Sequence, residues 1–123
     1  GGGVALLKCS SALQSMKISE EERAGMLIVL KALEEPAKWI AWNGGYKGDV
    51  AVEKIITGEG GFGLNADTGI YEDLMEAGII DPTKVTRFAL QNAASLAGLL
   101  LTTECMIGIL PETIDHNEIK VEQ

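Results

Sequence analysis

Apolar positions recur at helical spacing along most of this chain. Leu6, Cys9, Leu13 and Met16 share one face of a helix predicted over Val4 to Met16. Met26, Leu27, Leu30 and Leu33 share the buried side of a second helix that ends near Leu33. The charged connection Lys17 to Glu22 carries Ser19 and Glu22 at the spacing of a capping box. Glu20, Glu21 and Glu22 fall in the first turn, where the helix dipole favours anions, and read as a solvated start rather than a metal site. Pro36 suits a first turn and opens a helix to about Trp42, ended by Asn43-Gly44-Gly45. Trp39 and Trp42 lie on one face of it, as a packing stripe in preference to a stacking platform for a base. Asp49 is placed as the N-cap of a helix that ends near Thr57, with Gly58 behind it. The longest helix runs from Asp81-Pro82, a strong start signal, to about Leu101. Val85, Phe88, Ala89, Asn92, Leu96 and Leu99 repeat along it, and Ala93, Ala94, Ala97 and Gly98 offer a surface for close helix approach.

The pattern changes between the fourth helix and Asp81. Phe62 to Asn65 and Ile70 to Asp73 read as two short strands, with Ala66-Asp67-Thr68-Gly69 turning between them. Leu74 to Ala77 makes a brief helical turn that Gly78 releases into Ile79-Ile80. Glu104 to Leu110 reads as a strand stopped by Pro111. Such a strand must pair with something or stay an open edge. Glu112 to Gln123, which includes His116, is polar and reads as a loose tail. The fold class is therefore mainly α, multihelical, with a small β-hairpin and a C-terminal strand. Gly58-Glu59-Gly60-Gly61-Phe62-Gly63 matches G-x-G-x-x-G as a string, but no helix opens on its last glycine and turn chemistry follows. The dinucleotide reading needs that context and fails without it.

Length and composition narrow the function classes. With 123 residues the chain makes one small domain. Six aromatic residues of the Phe, Trp and Tyr types leave the core to Ala, Leu, Ile, Val and Met. A formal net charge of −8 and the lack of a Lys/Arg cluster argue against a nucleic-acid partner. A local nucleotide site stays open, because backbone amides or a metal can supply the positive field. Cys9 and Cys105 read as buried thiols in a reducing compartment rather than a disulfide. One His and no paired Cys give no metal-ligand spacing. The sequence has no signal-peptide pattern, and Ala93 to Leu101 is far too short to span a membrane. Gly1-Gly2-Gly3 without a Met implies a processed product or a piece of something longer. These glycines leave the first amides of the first helix open to an anion or a close-lying ligand, or form a flexible end.

Several long stretches together resemble the C-terminal part of a group I chaperonin, the GroEL family with its mitochondrial and chloroplast relatives. They are Gly1-Gly2-Gly3-Val4-Ala5-Leu6, Leu64-Asn65-Ala66, Gly78-Ile79-Ile80-Asp81-Pro82-Thr83-Lys84-Val85-Thr86-Arg87, Ala89-Leu90-Gln91-Asn92-Ala93-Ala94-Ser95 and Thr102-Thr103-Glu104-Cys105-Met106. They fall in the family's order and cover Gly1 to about Pro111, leaving 112–123 as a tail.

The resemblance implies the second of the two sequence segments that build the equatorial, ATP-binding domain of a double-ring, ATP-driven folding machine. It implies that the backbone of Gly2 lies against the nucleotide, that Asn65 and Ala66 contact adenine, and that Asp81 bonds the ribose hydroxyls. Residue chemistry agrees. Glycine allows close approach, an amide can meet a base edge, and a carboxylate accepts from hydroxyls. Asp81 as a plain N-cap and Asn65 as a plain turn residue are the structural alternatives.

The family's Gly-Asp-Gly-Thr-Thr phosphate loop is absent, and its hydrolytic aspartate lies shortly before the position where this chain starts. The chain is therefore expected to hold the adenosine side only, with ATP and Mg belonging to the full-length parent and neither bound tightly by this segment alone. Implied partners are the remaining half of the equatorial domain, other subunits of the double ring, and, through the parent, a co-chaperonin and unfolded proteins. Glu104 to Ile109 would pair with a neighbouring subunit. The family's Gly-Gly-Met tail is replaced by Glu112 to Gln123, which leaves the branch open. The compartment is cytoplasmic, or mitochondrial matrix or plastid stroma for an organellar member. Two other functions compete: a self-sufficient helical protein-interaction module without nucleotide, and a nucleotide enzyme built on the glycine run.

Overall fold

A computed structural model describes residues 1–109. The chain divides into two compact units, residues 1–90 and 91–123. In chain order the elements are α1 (Val4–Gln14), α2 (Arg23–Ala32), α3 (Glu35–Asn43), α4 (Gly48–Thr57), β1 (Phe62–Asn65), β2 (Ile70–Asp73) and α5 (Thr83–Thr102). The fold is mainly α, as the periodicity predicts, and the hairpin keeps it from being all-α.

The core of the first unit is small and aliphatic. Val4, Leu7, Ala37, Ala41, Ala51, Val52, Ile55, Leu64 and Leu74 form one buried cluster, with Tyr46, Tyr71 and Ile79 packed against it. Alanines at Ala37, Ala41 and Ala51 let α3 and α4 approach closely, and this is the most extensive helix pair. Gly48 continues that contact, because a β-carbon there would lie 2.9 Å from the Trp42 ring.

Helix ends are fixed by several devices. The capping box forms as expected, with Ser19 N–H donating to Glu22 Oε2 at 2.9 Å and Glu22 N–H donating to Ser19 Oγ at 3.3 Å. It closes the turn that leads into α2. At the C-terminus of α4, Lys8 Nζ donates to the carbonyls of Ile55 (3.3 Å) and Gly58. A cation there meets the negative end of the helix dipole. Asp49 does not cap α4. The helix starts one residue earlier, and the Asp49 carboxylate pairs instead with Lys38 Nζ at 3.1 Å.

The hairpin follows the predicted boundaries. Phe62 pairs with Asp73, Gly63 with Glu72, Leu64 with Tyr71 and Asn65 with Ile70, antiparallel. Gly69, at φ 77°, closes the turn by donating to Asn65 O at 2.8 Å. After β2, Asp73 Oδ1 accepts from Met75 N–H (2.8 Å) and Glu76 N–H (3.2 Å), and Ile79 N–H returns to Leu74 O at 2.8 Å. That turn carries the chain to Asp81.

Three expectations are corrected. The face chosen for α1 is not the buried one: Val4 and Leu7 face the core, while Cys9 and Met16 (58%) are exposed; the face chosen for α2 is its more covered one, with Leu33 buried and Met26 and Leu30 half-buried, although Leu27 (56%) is exposed. Both stripes satisfy the helical period, and period alone cannot say which one meets a partner. Cys9 and Cys105 are free and exposed, not buried. Residues 104–109 form no strand, because among the described residues the only ladder is β1 with β2. Leu110 and the tail 111–123 lie outside the described residues. No helix among the described residues is long and apolar enough to cross a membrane.

In the second unit, residues 91–109 are exposed throughout, including Leu96, Leu99, Leu100, Leu101, Met106, Ile107 and Ile109. In the first unit, α5 begins with Val85 (63%) and Phe88 (50%) equally uncovered.

Candidate functional site

The first glycines are held by residues far along the chain. Gly2 (φ 64°) and Gly3 (φ 77°) take left-handed conformations that glycine adopts at little cost. A β-carbon on Gly2 would lie 2.8 Å from Leu74 Cδ1 and 3.6 Å from the carbonyl oxygen of Leu64. A β-carbon on Gly3 would strike the Ala37 backbone at 2.8 Å. The Gly1 amino nitrogen stands 3.8 Å from Asp81 Oδ2. The start of α1, the end of β1 and the entry to α5 therefore converge.

At that convergence a groove of about 370 Å³ opens. Ala5, Leu6 and Cys9 of α1 form one wall, Met75 and Ile80 the floor, and Asp81, Thr83, Thr86 and Arg87 the polar side. Leu6 and Cys9, two of the four residues predicted as the buried face of α1, thus line an open groove. Helix α1 has no side-chain cap, and its first amide, Val4 N–H, donates to the Gly1 carbonyl at 3.2 Å.

Asp81 does not act as the N-cap of α5. The carbonyl of Pro82 accepts the first bonds, from Val85 N–H (2.9 Å) and Thr86 N–H (3.3 Å). The Asp81 side chain is 57% exposed and makes no hydrogen bond among the described residues beyond its approach to Gly1 N. Its lone pairs are open to hydroxyl donors.

Asn65 is more committed. Its Nδ2 donates to Glu72 Oε1 at 2.8 Å, and its Oδ1 accepts from Asp67 N–H (3.2 Å) and Thr68 N–H (3.4 Å). This is an Asx turn, and it leaves one amide hydrogen free. Ala66 O lies against Gly44, where a β-carbon would come within 2.9 Å. Asn65 and Ala66 sit at the hairpin tip and do not line the groove beside Asp81. Gly2 links the two places, because it abuts Leu64, the residue before Asn65.

Two side chains of this neighbourhood escape the sequence reading. Leu74, 1% exposed, fills the space between Gly2 and Gly63. Lys38, 6% exposed, collects Glu34 (3.1 Å), Glu35 (3.5 Å) and Asp49 (3.1 Å). Hydrogen bonds to Asp49 and Glu34 push the Lys38 ammonium above the usual lysine range. Burial raises Glu34, but the bonds from Lys31 and Lys38 outweigh it and hold that carboxyl below its ordinary value. A lysine between two helices carries no periodic signal, and only its spacing from Glu34 and Glu35 hinted at pairing. Among the described residues no group of three or more His, Cys, Asp or Glu could hold a metal ion.

The arrangement defines a small helical scaffold that presents open backbone, a free carboxylate and a hairpin tip beside an apolar-walled groove. Residues 1–109 match the model of the TCP-1/cpn60 chaperonin family, and the chain belongs to that family. Its role is accordingly in assisted protein folding, in assembly with other subunits.

Proposed function

We propose that this chain supplies the adenosine side of the ATP site in a group I chaperonin subunit. Asp81 accepts hydrogen bonds from the ribose hydroxyls, the backbone of Gly2 lies against the nucleotide, and Asn65 and Ala66 meet the adenine edge. The observation that carries this reading is the meeting of Gly1, Leu64 and Asp81 around Gly2, with Asp81 free of any capping duty. The committed Oδ1 of Asn65 assigns its base contact to the remaining amide hydrogen and to the turn backbone.

Phosphate and metal are assigned to the other part of the equatorial domain, as the resemblance implies. When bound, ATP supplies the free energy that drives the folding cycle. This chain holds, orients and shields its nucleoside end. The uncovered faces of α1 and α5 are read as seats for that other part, and residues 104–109 as a contact with a neighbouring subunit of the double ring. Alone, the chain would bind nucleotide weakly and hydrolyse little.

The test is Asp81→Ala in the full subunit. Loss of a charge-assisted bond costs about 1.5–3 kcal/mol, so the ATP Kd should rise roughly tenfold to a hundredfold. An unchanged Kd would sink the ribose role.

A further inference from the structure

The connection between α3 and α4 touches the hairpin tip, and no role assigned so far uses it. Its backbone is fixed at three points: Gly44 N–H donates to Ile40 O (3.1 Å), Gly45 N–H to Trp42 O (2.9 Å) and Tyr46 N–H to Ala41 O (2.8 Å). The Tyr46 ring packs against the buried cluster from its edge. It stands between two glycines that have no room for a side chain. A β-carbon on Gly44 would lie 3.1 Å from the ring and 2.9 Å from the carbonyl oxygen of Ala66. A β-carbon on Gly69 would lie 2.5 Å from the Tyr46 hydroxyl oxygen and 2.9 Å from Cζ. The ring therefore bears on the closing residue of the turn, while Gly44 bears on Ala66.

The β1–β2 ladder does not by itself fix this tip. Leu64 anchors β1 in the core, but the four turn residues from Ala66 to Gly69 lie beyond the last paired residues, Asn65 and Ile70. The Asx turn of Asn65 shapes the loop internally, and Tyr46 and Gly44 bring the α3–α4 connection against it. A support whose own backbone is rigid can set the position of contact atoms it does not include.

We infer that Tyr46 is a positioning residue: it sets the Asn65–Ala66 turn for the adenine base and thereby the preference of the site for adenine nucleotides. This rests on the reading that Asn65 and Ala66 meet adenine. Tyr46 touches no nucleotide itself. Its effect passes through Gly69 and Gly44, and it comes from the ring rather than from hydroxyl chemistry.

The experiment measures ATP and GTP affinity in the full subunit for the unsubstituted protein, Tyr46→Phe and Tyr46→Ala, with a thermal melt of each. A misplacement of about 1 Å at a positioned group costs up to about a hundredfold, so Tyr46→Ala should weaken ATP about tenfold and leave GTP within about twofold. Tyr46→Phe should keep both affinities. Should Tyr46→Ala fail to fold, Gly69→Ala forces the same ring and turn apart and should lower the ATP-to-GTP preference in the same way. Equal weakening of both nucleotides would reduce Tyr46 to a structural residue and overturn the inference, as would an unchanged ratio. Failure of the unsubstituted subunit to bind ATP would instead overturn the nucleotide reading on which the inference stands.

Discussion

Leu74 shows how one apolar side chain can hold a polar arrangement together. It is 1% exposed, and β-carbons on Gly2 and Gly63 would both press on its Cδ1, at 2.8 and 2.6 Å. Truncating a buried leucine costs about 2–5 kcal/mol through lost transfer energy and the cavity left behind. Leu74→Ala should destabilise the chain by about 3 kcal/mol in urea titration, within that range, and should loosen Gly2 from β1. A loss under about 1 kcal/mol would mean that the site collapses around the gap and that Leu74 is not the plug described. Asp81 illustrates the opposite case at the same scale. The pair Asp81-Pro82 signals a helix start, and the helix does start there, but Pro82 takes the capping position and the carboxylate stays free. Asn65 goes the other way, with its Oδ1 occupied by the turn it builds.

Among the helix pairs, α3 and α4 form the most extensive contact, and Lys38 ties it with charge. Glu34 is held below its ordinary range, so its contribution is present above the unfolded value, about 4.3, and is lost as pH falls through the lower folded value. Lys38 is held above its range, so its contribution is complete below the ordinary lysine value and fades only at strongly alkaline pH. Stability should therefore be level through neutral pH and fall on acidification below about pH 4.5, and Glu34→Gln should flatten that acid slope. Urea midpoints measured from pH 3 to 8 check this, and an unchanged slope in the variant would remove Glu34 from the account. Element positions were legible in the sequence because period, proline and glycine mark them locally. The hairpin fell on its predicted residues, and α1, α3 and α4 within about two residues. Burial was less legible. Leu6 and Cys9 have the spacing of a core stripe yet line a groove, and Trp39 and Trp42 stand 58% and 43% exposed. The residues that brace the hairpin, Tyr46 and Leu74, carry no periodic or motif signal, because their role arises only from contacts across the fold.

At the scale of the whole molecule, the core is too small for the apolar surface the chain carries. Val85 and Phe88 in the first unit, and Leu96, Leu99 and Ile107 in the second, are all exposed. The family to which the chain belongs implies assembly with other subunits. The proposed function concerns a smaller area, in which residues separated by most of the chain, Gly1 to Gly3, Leu64 to Ala66 and Ile79 to Asp81, are proposed to share one nucleoside. Amide hydrogen exchange of the full subunit with and without ATP tests this most directly. The account predicts that nucleotide slows exchange in all three stretches together. Protection confined to the glycine run Gly58 to Gly61, or absent from all three, would contradict it.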